Sequence, residues 1–135
     1  MHIRYLLTFR SFLLSLLLGL FSVHYSHAAN NVFVKYSKSE GLVQNTVTNS
    51  LEDPSGFMWF STFEGLSRFD GYEFKNYRHS SKDPHSLPNN FTKKLLLDSS
   101  ENLWVATQNG LAKYNPLKDN FTNYNKDNSQ LSSND

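Results

Sequence analysis

Asp53-Pro54-Ser55-Gly56-Phe57-Met58-Trp59-Phe60-Ser61-Thr62-Phe63-Glu64-Gly65-Leu66 decides the fold, because 45 residues later the chain repeats it as Asp98-Ser99-Ser100-Glu101-Asn102-Leu103-Trp104-Val105-Ala106-Thr107-Gln108-Asn109-Gly110-Leu111. Extended upstream without a gap to Leu42 and Leu87, the comparison keeps nine of 25 positions: Leu42, Asn45, Leu51, Asp53, Ser55, Trp59, Thr62, Gly65 and Leu66 in the first copy. The opening signature Leu42-Val43-Gln44-Asn45 returns as Leu87-Pro88-Asn89-Asn90 and again as Leu131-Ser132-Ser133-Asn134, at steps of 45 and 44. A second signature, F-x-x-Y, closes the units at Phe74/Tyr77 and Phe121/Tyr124 and stands once more at Phe33/Tyr36, ahead of the first unit. A fixed period of about 20 to 50 residues marks a solenoid or a propeller.

Each unit reads as four short strands. In the first they are expected over residues 46–52, 58–62, 66–69 and 74–77. Asp53-Pro54-Ser55-Gly56 makes the first turn, since Pro presets φ and Gly accepts positive φ. Asp70-Gly71 is a two-residue hairpin signal. The second unit replaces it with Asn115-Pro116-Leu117-Lys118-Asp119-Asn120, which accounts for an F-x-x-Y step of 47 beside an upstream step of 45. Met58-Trp59-Phe60 and Leu103-Trp104-Val105-Ala106 are apolar at consecutive positions, so both faces of these strands are expected to be covered. Four-stranded sheets covered on both sides, recurring at this period, are the blades of a β-propeller. The orphan Phe33-Val34-Lys35-Tyr36 matches a fourth strand without the first three, which is the pattern of a closure strand that latches a ring.

The boundaries that follow are a signal peptide over 1–28, the closure strand and linker over 29–41, blade 1 over 42–86, blade 2 over 87–130 and the start of a third repeat over 131–135. His2, Arg4 and Arg10 precede the apolar run of residues 12–21, and Ser26-His27-Ala28 supplies small residues at the cleavage site, so the start reads as a secretory signal. An uncleaved anchor is the alternative reading. The 135 residues are 39% hydrophobic and 15% aromatic, a globular composition that leans to all-β, and they contain no Cys, which excludes disulfide scaffolds and thiol chemistry. The net charge is +1, and loss of Arg4 and Arg10 with the signal leaves −1. Neither value makes the basic patch that nucleic acid requires.

The run of residues 41–71 resembles the two-component regulator propeller repeat, and residues 87–114 repeat it, so that the resemblance covers 32–135. The residues that carry it are Asn45, Asp53, Gly56, Trp59, Thr62 and Gly65 in the first unit and Asn90, Asp98, Trp104, Thr107 and Gly110 in the second. The second unit departs at Thr92, where the first has Val47, and at Glu101, where the first has Gly56. The resemblance implies a periplasmic ligand-sensing domain made of two seven-bladed propellers. In the family a β-sandwich and one transmembrane helix join such a domain to a histidine kinase, hybrid kinase or diguanylate cyclase. On this reading the chain is an N-terminal piece of a larger sensor or a truncated product, with a ring assembled from several short chains as the alternative. Open blade faces and edges make the piece by itself prone to aggregate.

No residue stands out as catalytic, cofactor-binding or metal-binding. Trp59 and Trp104 have rings that stack on sugars, but their shared repeat position makes them blade core. Asp53 and Asp98 sit on turns where a carboxylate ordinarily bonds the backbone, and Glu52 and Glu64 are single carboxylates without a repeated partner. His79, Asp83 and His85 share one inter-blade loop and are a zinc-type set, but the loop has the Ser, Pro and Asn content of a solvated turn. Asn90-Phe91-Thr92 and Asn120-Phe121-Thr122 match the N-glycosylation sequon, a pattern of low specificity. The chain is expected to be no enzyme and to need no cofactor. Its expected partners are a small-molecule or oligosaccharide ligand, further blades and a homodimer mate, in a periplasmic or secreted location. An exported propeller lyase or hydrolase, and a protein-binding scaffold, are the competing functions, because a fold alone does not choose among them.

Overall fold

The computed structural model describes residues 32–134, and the export segment lies outside them. Two antiparallel four-stranded sheets follow one another along the chain, each with its strands paired in sequence order. The first comprises β1 (Val47–Glu52), β2 (Met58–Thr62), β3 (Gly65–Phe69) and β4 (Phe74–Tyr77). The second comprises β5 (Thr92–Leu97), β6 (Leu103–Thr107), β7 (Gly110–Asn115) and β8 (Asn120–Tyr124). One 3-10 turn, Lys38–Glu40, is the helical element among the described residues, and no helix there is long and apolar enough to cross a membrane. β2 and β4 span the expected residues. β1 begins one residue later and β3 one earlier, because Gly65 already pairs with Thr62.

The two sheets share one register. Trp59 faces Arg68 as Trp104 faces Lys113, and Thr62 faces Gly65 as Thr107 faces Gly110. Both inner strands carry an irregularity at the same place, between Val47 and Asn49 and between Thr92 and Lys94. The first turn is also kept. Gly56 N–H donates to Asp53 O at 2.9 Å with φ +84°, and Glu101 N–H donates to Asp98 O at 2.9 Å with φ +62°. Glu101 therefore takes the left-handed backbone that Gly56 takes, at a steric cost of roughly 1 kcal/mol for a residue with a Cβ. The last hairpin corrects the expected turn by one residue. Phe69 pairs with Phe74, and Asp70 N–H reaches Glu73 O at 3.4 Å, so the central pair is Gly71-Tyr72 with φ +100° at Gly71. Asp70 serves instead through its side chain, whose Oδ1 accepts from Tyr72 N–H and Glu73 N–H at 2.8 Å each. In the second sheet Asn115 pairs with Asn120, leaving residues 116–119 as the longer loop.

The sheets approach each other at β1 with β5 and at β2 with β5 and splay apart outward, the geometry of wedges meeting near an axis. Leu51, Trp59, Leu66 and Tyr77 on one face of the first sheet meet Leu95, Leu103, Val105, Ala112, Tyr114 and Phe121 on the facing side of the second, and together they form the core. The splay is filled by rings: Trp59 lies 4.7 Å from Tyr114 and 5.6 Å from Tyr77, and Tyr77 lies 5.4 Å from Phe121. Covering of both faces is realised for the first sheet. In the second, Trp104, Ala106 and Leu111 are half-buried and Leu96 is exposed, around an apolar cleft of about 400 Å³. Their counterparts Trp59, Ser61 and Leu66 are fully buried.

The other face of the first sheet is covered by the segment that precedes it. Leu42 and Val43 are buried, and Tyr36 packs on Phe69 at 4.9 Å and on Phe74 at 5.7 Å. Tyr77 takes the equivalent position on Tyr114 and Phe121, so Tyr36 sits on blade 1 as a fourth-strand tyrosine sits on the next blade. The closure strand expected over residues 33–36 is not formed as a strand: residues 32–37 join no ladder among the described residues, because no strand pairs with their backbone.

Candidate functional site

The repeat residues form three devices, each built twice or more. In the first, Asp53 Oδ1 accepts from Ser55 and Phe57 N–H at 2.8 and 3.1 Å, while its Oδ2 accepts from Trp59 Nε1 at 2.7 Å. Asp98 does the same with Ser100 and Asn102 N–H at 2.9 Å each and Trp104 Nε1 at 2.9 Å, and Asn102 Nδ2 adds two more bonds. The Trp104 indole N–H, followed by the Asn102 donors, holds the Asp98 carboxyl far below its usual range. In the second device, Thr62 Oγ1 donates to Gly65 O at 2.8 Å and accepts from Glu64 N–H at 3.1 Å; Thr107 repeats this with Gly110 O and Asn109 N–H at 2.8 and 3.1 Å. A Cβ on Gly65 or Gly110 would come within 2.5 Å of Tyr77 O or 2.4 Å of Tyr124 O, so only glycine fits. In the third, Asn45, Asn90 and Asn134 each accept from an upstream backbone N–H, of Lys38, His79 and Lys126, at 2.7–2.8 Å. All these side chains are spent on holding the blade.

The histidine loop takes a similar role. His79 Nδ1 bonds Leu87 O at 2.7 Å, Asp83 Oδ1 accepts from His85 N–H at 2.9 Å, and His85 O accepts from Phe121 N–H at 2.9 Å, which ties the loop to β8. Among the described residues no group of three His, Asp or Glu is placed to hold a metal ion. Glu52 is exposed at the end of β1, and Glu64 pairs loosely with Arg78 at 3.8 Å, both side chains about half exposed.

Three features escaped the reading of the sequence. Thr92, the departure from Val47, is fully buried: its Oγ1 accepts from Thr62 N–H at 2.8 Å and lies 2.9 and 3.0 Å from Thr62 O and Gly65 O, joining the blades. Asp119, supplied by the longer hairpin of the second blade, reaches back to the first. Its Oδ1 accepts from Tyr77 OH at 2.5 Å, from Tyr114 OH at 2.6 Å and from Arg68 at 3.3 Å, and its Oδ2 pairs with Lys75. Burial works against the charge on Asp119, but the Lys75, Tyr114 and Tyr77 hydrogen bonds outweigh it and hold the carboxyl at about 2. Tyr114 is pushed up to about 12 by burial and by its bond to Asp119, and Tyr77 is pushed up further by the same causes. The only sign of this cluster in the sequence was the two-residue lengthening of the hairpin. The third feature is an aromatic pair. Phe63, in the β2–β3 turn, stacks on Phe91, just before β5, with centroids 4.8 Å apart and planes within 6°. Phe63 stays 44% exposed.

Splayed four-stranded sheets with one residue pattern, packed face to face, make this a β-propeller segment. Residues 41–64 match the family described as Two component regulator propeller. The extracellular domain of the hybrid two component system BT3049 from B. thetaiotaomicron is 32% identical, with a TM-score of 0.66, over 76% of this chain and 15% of that one. The extracellular domain of BT4673 from the same organism is 27% identical with a TM-score of 0.52, over 58% of this chain and 11% of that one. A histidine kinase P4 of Formosa agariphila is 38% identical over 59 residues, which are 44% of this chain and 4% of the kinase. The chain thus spans a small fraction of each relative it matches. Residues 41–64 carry the two-component regulator propeller repeat, the fold is similar to the extracellular regions of these proteins, and the chain resembles a sensor propeller rather than a catalytic domain.

Proposed function

We propose that this chain forms part of an extracytoplasmic, periplasmic propeller that binds a solute and relays its presence across the membrane to a kinase or cyclase output. The observation that carries the reading is the coincidence of the family match over 41–64 with a fold shared at a TM-score of 0.66 with an extracellular two-component domain. On this reading the blades are a rigid mount, the inter-blade loops and turns on their rims meet the solute, and further blades close the ring. A small molecule or oligosaccharide suits such a rim, and paired receptors would convert its binding into a change of dimer geometry. The chain has no catalytic role of its own. A solute panel applied to the receptor in membranes, with phosphorylation or cyclic-di-GMP synthesis as readout, tests this. Solute-dependent output that disappears when residues 42–130 are deleted supports the reading, and output indifferent to every solute with and without these blades ends it.

A further inference from the structure

Two departures from the repeat meet at one cavity. A cleft of about 300 Å³ lies where the β1–β2 and β5–β6 turns approach the long β7–β8 hairpin, lined by Pro54 and Ser55 of blade 1 and by Ser100, Glu101, Tyr114 and Pro116 of blade 2. Pro116 belongs to the hairpin that only blade 2 lengthens. Glu101 stands where blade 1 has Gly56, and it holds at φ +62° a left-handed backbone that glycine takes without steric cost. The turn would be better served by glycine, so the turn does not account for Glu101, and a side chain kept on a strained backbone points to a use for that side chain. Its carboxylate makes no hydrogen bond or ion pair among the described residues, and the hydroxyls of Ser55 and Ser100 make none either. Asp53 brings a second carboxylate to the cleft, with its oxygens taken by Ser55 and Phe57 N–H and by the Trp59 indole. Among the described residues no Lys, Arg or His lines this cleft, so its field has one sign.

We infer that this cleft is a subsite for an aliphatic amine, with the ammonium group on Glu101 and the alkyl stem along Pro54, Pro116 and Tyr114. An ammonium group has three N–H donors and no acceptor, which matches one unpaired carboxylate and two unengaged hydroxyls. The Tyr114 hydroxyl is spent on Asp119 and Arg68, so that residue offers its apolar body to the stem. An anion would be repelled by both carboxylates. A divalent metal ion would find one free carboxylate where it needs several oxygen ligands, and among the described residues no group of three acids or histidines stands together. The inference gives the sensing role proposed above a class of solute and rests on that role for its consequence, while binding itself is measured without it.

The test is calorimetric titration of the receptor's whole extracytoplasmic region with n-butylamine, 1,4-diaminobutane and spermidine, with n-butanol as the uncharged match. The amines are expected to bind and the alcohol is not. Glu101→Gln keeps the shape and removes the charge, and it should weaken amine binding at least about tenfold, the loss of about 1.4 kcal/mol. Glu101→Gly should lose binding to the same extent while the melting temperature rises, an opposition of signs that a purely structural residue would not show. Ser55→Ala and Ser100→Ala should each weaken binding several-fold, and Leu117→Ala, at the exposed tip of the hairpin, should leave it unchanged. Undiminished amine binding by Glu101→Gln, or equal binding of n-butanol, would overturn the subsite. Binding of no amine, beside output driven by another solute, would overturn the amine assignment and leave sensing intact. Amine binding that depends on Glu101 but changes no output would uphold the subsite and count against the sensing role instead.

Discussion

Trp59 and Trp104 occupy one position in two blades, with the same aspartate clamp on the indole and a cationic side chain opposite in the next strand. Yet Trp59 has no exposed surface, and Trp104 is half-buried at the edge of an open cleft. The local chain builds the local device in both places, and burial depends on whether another blade stands against it. The comparison runs deeper in the outer strands. In blade 1, Ser67 Oγ donates to Asn76 Oδ1 at 2.6 Å and accepts from Val43 N–H at 3.0 Å, and Asn76 Nδ2 reaches Gly41 O at 2.8 Å. Blade 2 has Pro88 for Val43 and Ala112 for Ser67. Proline has no N–H to satisfy, so the hydroxyl lost one of its two duties. The other duty was not reassigned: Asn123 still donates to Ser86 O at 2.7 Å, but its Oδ1 is buried without a partner.

These differences can be broken or sharpened by substitution. The largest effect belongs to Trp59→Ala, expected to cost about 3–5 kcal/mol. Trp104→Ala should cost only roughly 1–2 kcal/mol in this chain, because much of its transfer energy is not yet realised. Urea midpoints compare the two, and equal losses would show that the open face is already covered in solution.

Next comes acid. The Asp119 carboxyl lies at about 2 in the folded chain against an ordinary 3.8. A depressed carboxyl lends stability above its unfolded pKa and loses it as pH falls through the folded value, so the contribution should fade between about pH 4 and 2. After solvent screening it is worth about 1 kcal/mol. Asp119→Asn should remove that share of the pH dependence while leaving the share that comes from Asp98, and unchanged acid melting of this variant would show that the inter-blade cluster contributes little.

Smaller effects run in the stabilising direction. Ala112→Ser restores a donor to Asn123 Oδ1 in a site where Pro88 makes no competing demand, for a gain of about 1 kcal/mol. A drop in melting temperature instead would mean that the hydroxyl does not fit beside Asn123. Glu101→Gly relieves the left-handed backbone of the second turn and should add roughly 0.5 kcal/mol, the remainder being offset by the freedom glycine has when unfolded. Gly56→Ala, with open space around its Cβ position but φ +84°, should lose a comparable amount.

Period, strand positions and the repeated devices were legible because they are short-range. An Asp six residues before a Trp, or a Thr three before a Gly, meets its partner within one hairpin, and two copies in register announce the pattern. The turn centre at Gly71-Tyr72 was missed by one residue because Asp-Gly favours a turn by propensity, whereas the ladder from Phe69 to Phe74 sets the register. Thr92 and Asp119 were opaque for a different reason. Their partners, Thr62 and Gly65, and Tyr77, Arg68 and Lys75, lie 27 to 51 residues away, and only packing of blade on blade brings them together.

The amino-acid sequence alone determined that the chain is all-β, that its unit is a four-stranded blade and that its Asp, Trp, Thr and Gly residues recur at fixed places in that unit, since those properties live within one unit. The tertiary structure decided which tryptophan is sealed, which departures from the repeat tie the blades together and which aromatic rings stack across the seam. Those depend on distances between units, and a repeat cannot state its neighbour's position in its own residues.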